Sequence, residues 1–174
     1  MIHLYTGDGK GKTTAAIGLG VRAAGAGLTV GVVFFMKPDS GSEALALERL
    51  PGVEIRAHRI GAVDASGEFT FLKDMGGDTL SAYRQMNREM LAEARALDVD
   101  LLILDEICSA ALAGMVPVEE VLELIEAKRE TAELVLTGRD PMPQFLEVAD
   151  YVSVIRKHKH PYDKGILARK GIEF

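Results

Sequence analysis

Thr6-Gly7-Asp8-Gly9-Lys10-Gly11-Lys12-Thr13-Thr14 follows a short apolar run, Ile2, Leu4 and Tyr5, and leads into an alanine-rich segment. A strand, a glycine-rich loop and a helix in that order make a phosphate-binding P-loop. Glycines let backbone N–H groups turn inward and approach phosphate oxygens closely. The first turn of the following helix adds unpaired N–H donors and the positive end of its dipole. The pattern predicts Lys12 on a phosphate as a point charge and the Thr13 hydroxyl on Mg²⁺. One departure stands out: the usual spacing puts a glycine five residues before Gly11, where this chain has Thr6. Gly7 and Gly9 are placed to supply the flexibility instead. The plainer reading, a glycine-rich turn that happens to end in Gly-Lys-Thr, is outweighed by the flanking strand and helix.

Outward from the loop, apolar runs alternate with helical patterns, which predicts an α/β chain with a mainly parallel sheet. Residues 12–24 form an alanine-rich helix in which Gly18 and Gly20 allow close approach to the sheet. Gly25 and Gly27 stop it. Leu28 to Phe35 reads as a strand buried on both faces. Met36 to Gly41 is a loop, Glu43 to Leu50 a short helix closed by Pro51-Gly52, and Val53 to His58 an alternating strand. Arg59 to Gly77 has no clear period. A loop of that length in a compact domain is more often functional than idle. It carries Phe69-Thr70-Phe71, aromatics that either meet a ligand or anchor the loop to the core. Thr79 to Leu97 is a helix with Leu80, Tyr83, Met90, Leu91, Ala94 and Leu97 on one stripe; Met86 and Met90 read as packing.

Val99 to Leu104 is a near-continuous apolar strand ending in Asp105-Glu106. An acid at the end of such a strand, about 90 residues after a P-loop, is the Walker B pattern. Its carboxylate lies near the P-loop threonine and holds Mg²⁺ directly or through water. Glu106 is either a second metal ligand or the base that activates water in an ATPase. Pro117 to Arg129 is a helix with Pro117 at its start, Glu119 and Glu120 in its first turn, and Lys128 and Arg129 in its last. Val118, Val121, Leu122 and Ile125 are its expected buried stripe. The strand Glu133 to Leu136 precedes Thr137-Gly138-Arg139-Asp140. An arginine there sits on the ligand side of an open α/β sheet, so Arg139 is either a phosphate contact or an ion-pair partner of Asp140 or Asp150. A short helix, Pro143 to Ala149, leads to a last strand, Tyr151 to Ile155.

The chain has 174 residues, 48% hydrophobic and 26% charged, in the range of one soluble domain spanning 1–174. No apolar run reaches about 18 residues, so no membrane span is expected. A strand beginning at residue 2 leaves no room for a signal peptide. Cys108 is the single cysteine; it allows no internal disulfide, fits a cytoplasmic setting and reads as a small buried hydrophobe. The net charge of −6 argues against general nucleic-acid binding. Yet Arg156 to Lys170 holds six cations and one acid (Asp163), a local balance of +5 that leaves the remainder at −11. Such a segment either faces an anionic ligand or is a solvated tail. His58, His158 and His160 have no zinc-like spacing and read as structural or lining residues. On these motifs alone an ATPase or ATP-driven switch ranks first. A small kinase would show an arginine-rich lid, and none stands out before the tail.

Tyr5-Thr6-Gly7-Asp8-Gly9-Lys10-Gly11-Lys12-Thr13-Thr14-Ala15-Ala16, taken with Val30-Gly31-Val32-Val33, Leu104-Asp105-Glu106-Ile107, Leu136-Thr137-Gly138-Arg139 and Ala149-Asp150, resembles the ATP:corrinoid adenosyltransferases of the CobO/BtuR type. The tail Lys159-His160-Pro161-Tyr162-Asp163, Gly165 and Ala168-Arg169-Lys170-Gly171-Ile172-Glu173 is similar to the family's ending. That family also carries threonine at the first P-loop position. Members often have an N-terminal extension that helps cover the active site, which this sequence lacks. Their aromatic loop typically reads Gly-Phe-Thr-Trp, where this chain has Glu68 after Gly67 and Phe71 in place of tryptophan.

The resemblance implies a RecA-like P-loop NTPase fold of three layers around a mainly parallel sheet of about six strands. It implies transfer of the 5′-deoxyadenosyl group of ATP to the cobalt of a reduced corrinoid such as cobalamin, with tripolyphosphate leaving. The ATP-binding residues it implies are Thr6 to Thr14 together with Arg139 and, by family pattern, Arg22, although Arg22 also fits a surface charge and Lys10 either phosphate or solvent. Thr13 with Asp105 or Glu106 would hold Mg²⁺, Glu106 being favoured for the direct bond. Lys12 would carry catalysis with Phe69 and Phe71, which would lie against the corrin. The resemblance also implies a homodimer and an electron-donating reductase as partner.

Overall fold

The computed structural model describes residues 1–38, 42–58, 76–169 and 171–172. Alternating apolar segments fold into six strands: β1 (Ile2–Thr6), β2 (Val30–Pro38), β3 (Val53–His58), β4 (Leu101–Asp105), β5 (Glu133–Thr137) and β6 (Tyr151–Val154). They form one sheet in the order β3-β2-β4-β5-β1-β6, with every neighbouring pair parallel. Parallel neighbours need crossovers, and the helices α1 (Lys12–Gly25), α2 (Ser42–Leu47), α3 (Gly77–Ala96), α4 (Ile107–Leu112), α5 (Val118–Lys128) and α6 (Pro143–Val148) lie along them. β5 separates the loop-bearing strand β1 from the carboxylate-bearing strand β4. The fold class expected from the sequence is therefore present.

The period-2 alternation of side chains decides which residues meet. One face of the sheet carries Ile2, Leu4, Val33, Phe35, Leu102, Leu104, Leu134 and Leu136 against α3, α4, α5 and α6. The other carries Val30, Val32, Phe34, Leu101, Ile103 and Val135 against α1 and α2. Asp105 and Thr137 follow the parity of Ile103 and Val135, so both side chains fall on the α1 face, where the P-loop helix begins.

Several details differ from the sequence reading. Gly20 does allow close approach, since a Cβ there would lie 3.1 Å from Ile103 Cδ1, but Gly18 has nothing within 4 Å. The buried stripe of α5 runs through Val121, Leu124 and Ile125, with Leu122 and Val118 only partly buried. Asn87 joins Tyr83, Met90 and Leu91 on the buried side of α3. Its Nδ2 donates to Tyr83 O at 2.8 Å, and its Oδ1 has no partner among the described residues. Helix α4 was not expected: six residues are too few to show a stripe. The edge strand β6 is exposed along its whole length, with Tyr151, Val152 and Val154 each about half exposed. Among the described residues no helix is long and apolar enough to cross a membrane.

Candidate active site

The P-loop closes around its own lysine. Lys12, the first residue of α1, is only 7% exposed. Its Nζ donates to Gly7 O at 2.8 Å and to Gly9 O at 3.0 Å, which curls the loop about one ammonium group. Gly7 and Gly11 adopt φ of 106° and 126°, values that L side chains rarely reach. Gly11 precedes the helix and its carbonyl accepts the Ala15 N–H at 2.8 Å, so α1 starts directly at the loop with its dipole aimed at a phosphate site. Not every loop amide turns inward as expected, because the Gly9 N–H donates to Ile155 O at 2.8 Å. Lys10 and Thr14 are exposed. Thr14 lies on the rim of a groove between α1 and α2 with Ile17, Val21 and Leu47. Thr6 ends β1 nearly buried, and its carbonyl accepts the Ile155 N–H at 2.8 Å.

Behind the loop a chain of hydrogen bonds ties the ends of β4 and β5 to the start of α1. Thr13 Oγ1 donates to Asp105 Oδ2 at 3.3 Å. The fully buried Thr137 hydroxyl donates to Asp105 Oδ1 at 2.7 Å and accepts the Glu106 N–H at 2.8 Å. Glu106 sits in a left-handed conformation, φ 61° and ψ 18°, which turns its side chain out of the strand direction. Ser109, one turn into α4, donates to Glu106 Oε2 at 2.5 Å and accepts the Arg139 N–H at 3.3 Å. Gly138 makes that approach possible, since a Cβ there would lie 2.7 Å from Cys108 Cβ and 2.8 Å from Ser109 N. Thr137 thereby supports both Walker B residues, while Thr13 also bonds the Asp105 carboxylate and Ser109 the Glu106 carboxylate.

Arg139 makes no ion pair with Asp140 or Asp150, and the Asp150 carboxylate instead accepts the Ile2 N–H at 2.7 Å. The Asp8 carboxyl is held below its usual range. The Lys157 backbone N–H is the main cause, and the charges of Lys157 and Arg139 add to it. Arg22 is exposed in the last turn of α1, about 15 Å along the helix from the loop at 1.5 Å per residue. The structure thus brings together Thr6 to Thr13, Asp105, Glu106 and Arg139, and it leaves Arg22 apart. Phe69 and Phe71 lie outside the described residues. Cys108 is fully buried, and burial first, then the nearby Glu106 charge, pushes its thiol up to about 12. No group of three or more metal-ligating side chains occurs among the described residues.

Sequence reasoning quoted Thr137 without giving it a role and passed over Ser109. A polar residue closing an otherwise apolar strand beside the Walker B strand is the signal that would have found Thr137. Asp8 was expected on the nucleotide, and its carboxylate instead accepts the Lys157 N–H at 3.0 Å.

The family model for ATP:corrinoid adenosyltransferase BtuR/CobO/CobP matches residues 1–174. The corrinoid adenosyltransferase CobA of Salmonella typhimurium is 35% identical over 176 residues, covering 100% of this chain and 85% of that protein. A corrinoid adenosyltransferase of Escherichia coli is 34% identical over 176 residues with the same two shares. One from Pseudomonas aeruginosa is 35% identical over 179 residues, covering 100% of this chain and 83% of that protein. A match along the full chain means that the chain belongs to the ATP:corrinoid adenosyltransferase family.

Proposed function

We propose that this single-domain chain is a transferase that moves the 5′-deoxyadenosyl group of ATP to the Co(I) of a reduced corrinoid in adenosylcobalamin formation or salvage. The electron pair of Co(I) forms the new bond to C5′ while the C5′–O bond breaks and tripolyphosphate leaves. The substrate itself is the nucleophile, so the protein's task is to hold cobalt in line with C5′ and to stabilise the leaving group. Lys12, the loop amides and Arg139 are suited to neutralise charge on the departing triphosphate. The P-loop here grips a group that leaves, instead of presenting a γ-phosphate for attack.

The oxygen donors beside the loop fit Mg²⁺, a hard cation that takes one or two carboxylates plus phosphates. Thr13 and Asp105 meet at 3.3 Å, and Glu106 follows at the same strand end. Thr13 with Asp105 or Glu106 would hold the ion, with Glu106 assigned the direct bond, and bound Mg²⁺ would add positive charge at the leaving triphosphate. Phe69 and Phe71 are assigned to the corrin face, where they would displace its lower axial ligand, raise the Co(II)/Co(I) potential and exclude water. An electron-donating reductase supplies the Co(I) state, and the setting is the cytoplasm. A homodimer is proposed as well; the exposed apolar edge strand β6 supports it.

What carries the reading is the family membership along residues 1–174 of a chain whose loop, lysine and paired acids converge at the C-terminal ends of its central strands. The test incubates the protein with ATP, Mg²⁺, a corrinoid and a strong reductant, then identifies the phosphate product. Tripolyphosphate together with adenosylated corrinoid is expected. ADP formed equally well without corrinoid would sink the reading and favour an ATPase with Glu106 as its base.

A further inference from the structure

The segment leaving β6 runs directly over the phosphate loop. The Ile155 N–H donates to Thr6 O at 2.8 Å, the Gly9 N–H donates to Ile155 O at 2.8 Å, and the Lys157 N–H donates to Asp8 Oδ1 at 3.0 Å. The contact is tight enough to exclude side chains. A Cβ on Gly7 would lie 2.3 Å from Ile155 O, and one on Gly9 would lie 2.9 Å from the Arg156 carbonyl carbon. Lys157 then bonds outward, its Nζ 2.9 Å from Asp163 in a 3₁₀ turn (Pro161–Lys164). Asp8, Lys157 and Asp163 so form an acid, base, acid line from the loop to the basic segment. Asp8 is the one acid in the loop, and a carboxylate repels phosphate, so its place there calls for a reason other than ligand contact.

We propose that Asp8 is a positioning residue whose carboxylate fastens the basic segment after β6 to the phosphate loop, so that this segment forms one wall of the polyphosphate site. The proposal rests on the nucleotide reading given above and adds a role for the C-terminal charge. Two of the three contacts are backbone to backbone and do not involve the Asp8 side chain; the third alone depends on it. The loop and the segment come from opposite ends of the chain, 149 residues apart at this contact. In this arrangement Arg156, whose backbone lies against Gly9, and Lys159, both exposed and in the segment that crosses the loop, are assigned as cations for the far end of a triphosphate. It also explains why the +5 balance lies in this segment of an acidic chain.

The test uses inorganic tripolyphosphate as the probe. Its binding to the full chain is measured by calorimetry for the wild type, Asp8→Ala and Asp8→Asn, alongside limited trypsin digestion. Charge alone predicts that removing Asp8 tightens anion binding in both variants. The latch predicts a split. Asparagine keeps the Oδ1 acceptor and removes the charge, so it should bind at least as tightly as wild type. Alanine should bind about tenfold more weakly and be cut faster after Arg156, Lys157 and Lys159. Wild-type or tighter binding by the alanine variant overturns the proposal. The double variant Arg156→Gln/Lys159→Gln changes only exposed side chains. It should bind more weakly and with a shallower salt dependence, and unchanged affinity again overturns the wall. Affinity that tracks these variants in a protein that adenosylates no corrinoid upholds the latch and refutes the transferase reading. The converse pair of results does the reverse.

Discussion

Replacing Thr137 with valine keeps the shape of the side chain and deletes one hydroxyl on which two strand ends depend. That hydroxyl donates to Asp105 Oδ1 at 2.7 Å and accepts the Glu106 N–H at 2.8 Å in a fully buried position. A buried hydrogen bond to a charged group contributes about 1.5–3 kcal/mol, and stranding a buried N–H costs about 1–3 kcal/mol. The two effects share one atom, so the expected loss is about 3–5 kcal/mol, a large part of the roughly 5–15 kcal/mol of a whole domain. Glu106 adds to the sensitivity: at φ 61° it holds a left-handed conformation that costs a non-glycine residue about 1–2 kcal/mol, and the Thr137 acceptor helps hold it there. Thr137→Ser is the control, keeping the hydroxyl and losing a methyl group worth about 1 kcal/mol. Urea unfolding of both variants should leave valine the less stable by about 2–4 kcal/mol. Magnesium-dependent ATP binding should fall with it, since Asp105 and Glu106 lose their common support. Equal stability of the two variants would refute the reasoning, because the hydroxyl would then hold nothing.

Two further outcomes are expected. Cys108, buried and with its thiol pushed up to about 12, should resist a thiol-specific reagent at neutral pH and react once on unfolding; rapid labelling of the native chain would contradict its burial. Asp100 accepts from the Thr29 N–H at 2.7 Å and its hydroxyl at 2.8 Å, which lowers the carboxyl's pKa. A lowered pKa contributes stability above the unfolded value of about 3.9 and loses it as pH falls through the folded value. Asp100→Asn should therefore narrow the stability gap to wild type as pH drops below about 4, measured by unfolding between pH 3 and 6; a gap independent of pH would contradict the assignment.

The phosphate loop, the Walker B acids and the strands were legible in the sequence because each is a local pattern of a few residues. The strand Val53–His58 was read to the residue, since strict alternation marks both its ends. What escaped notice depends on neighbours distant in sequence. Thr137 and Asp105 lie 32 residues apart and meet only through the register of β4 with β5. Asp8 and Lys157 lie 149 residues apart and meet because β6 pairs with β1. Helix α4 was hidden by its shortness, and Gly18 looked equivalent to Gly20 until the helix phase put one toward Ile103 and the other toward open space. Arg22, carried over by resemblance, sits exposed in the last turn of α1, a helix length from the loop.

Strand β6 has one more consequence. It is exposed along its whole length, yet two of the loop's backbone hydrogen bonds end on the residue that follows it. Segments with few buried contacts open at low free-energy cost. A ligand that binds only the closed loop lowers the population of that opening, by about 2.7 kcal/mol at a hundredfold excess over its dissociation constant. Amide exchange along Tyr151–Val154 and the grip on phosphate are thus two readings of one equilibrium. The outer margin of the sheet thereby gains stability when the phosphate loop is occupied.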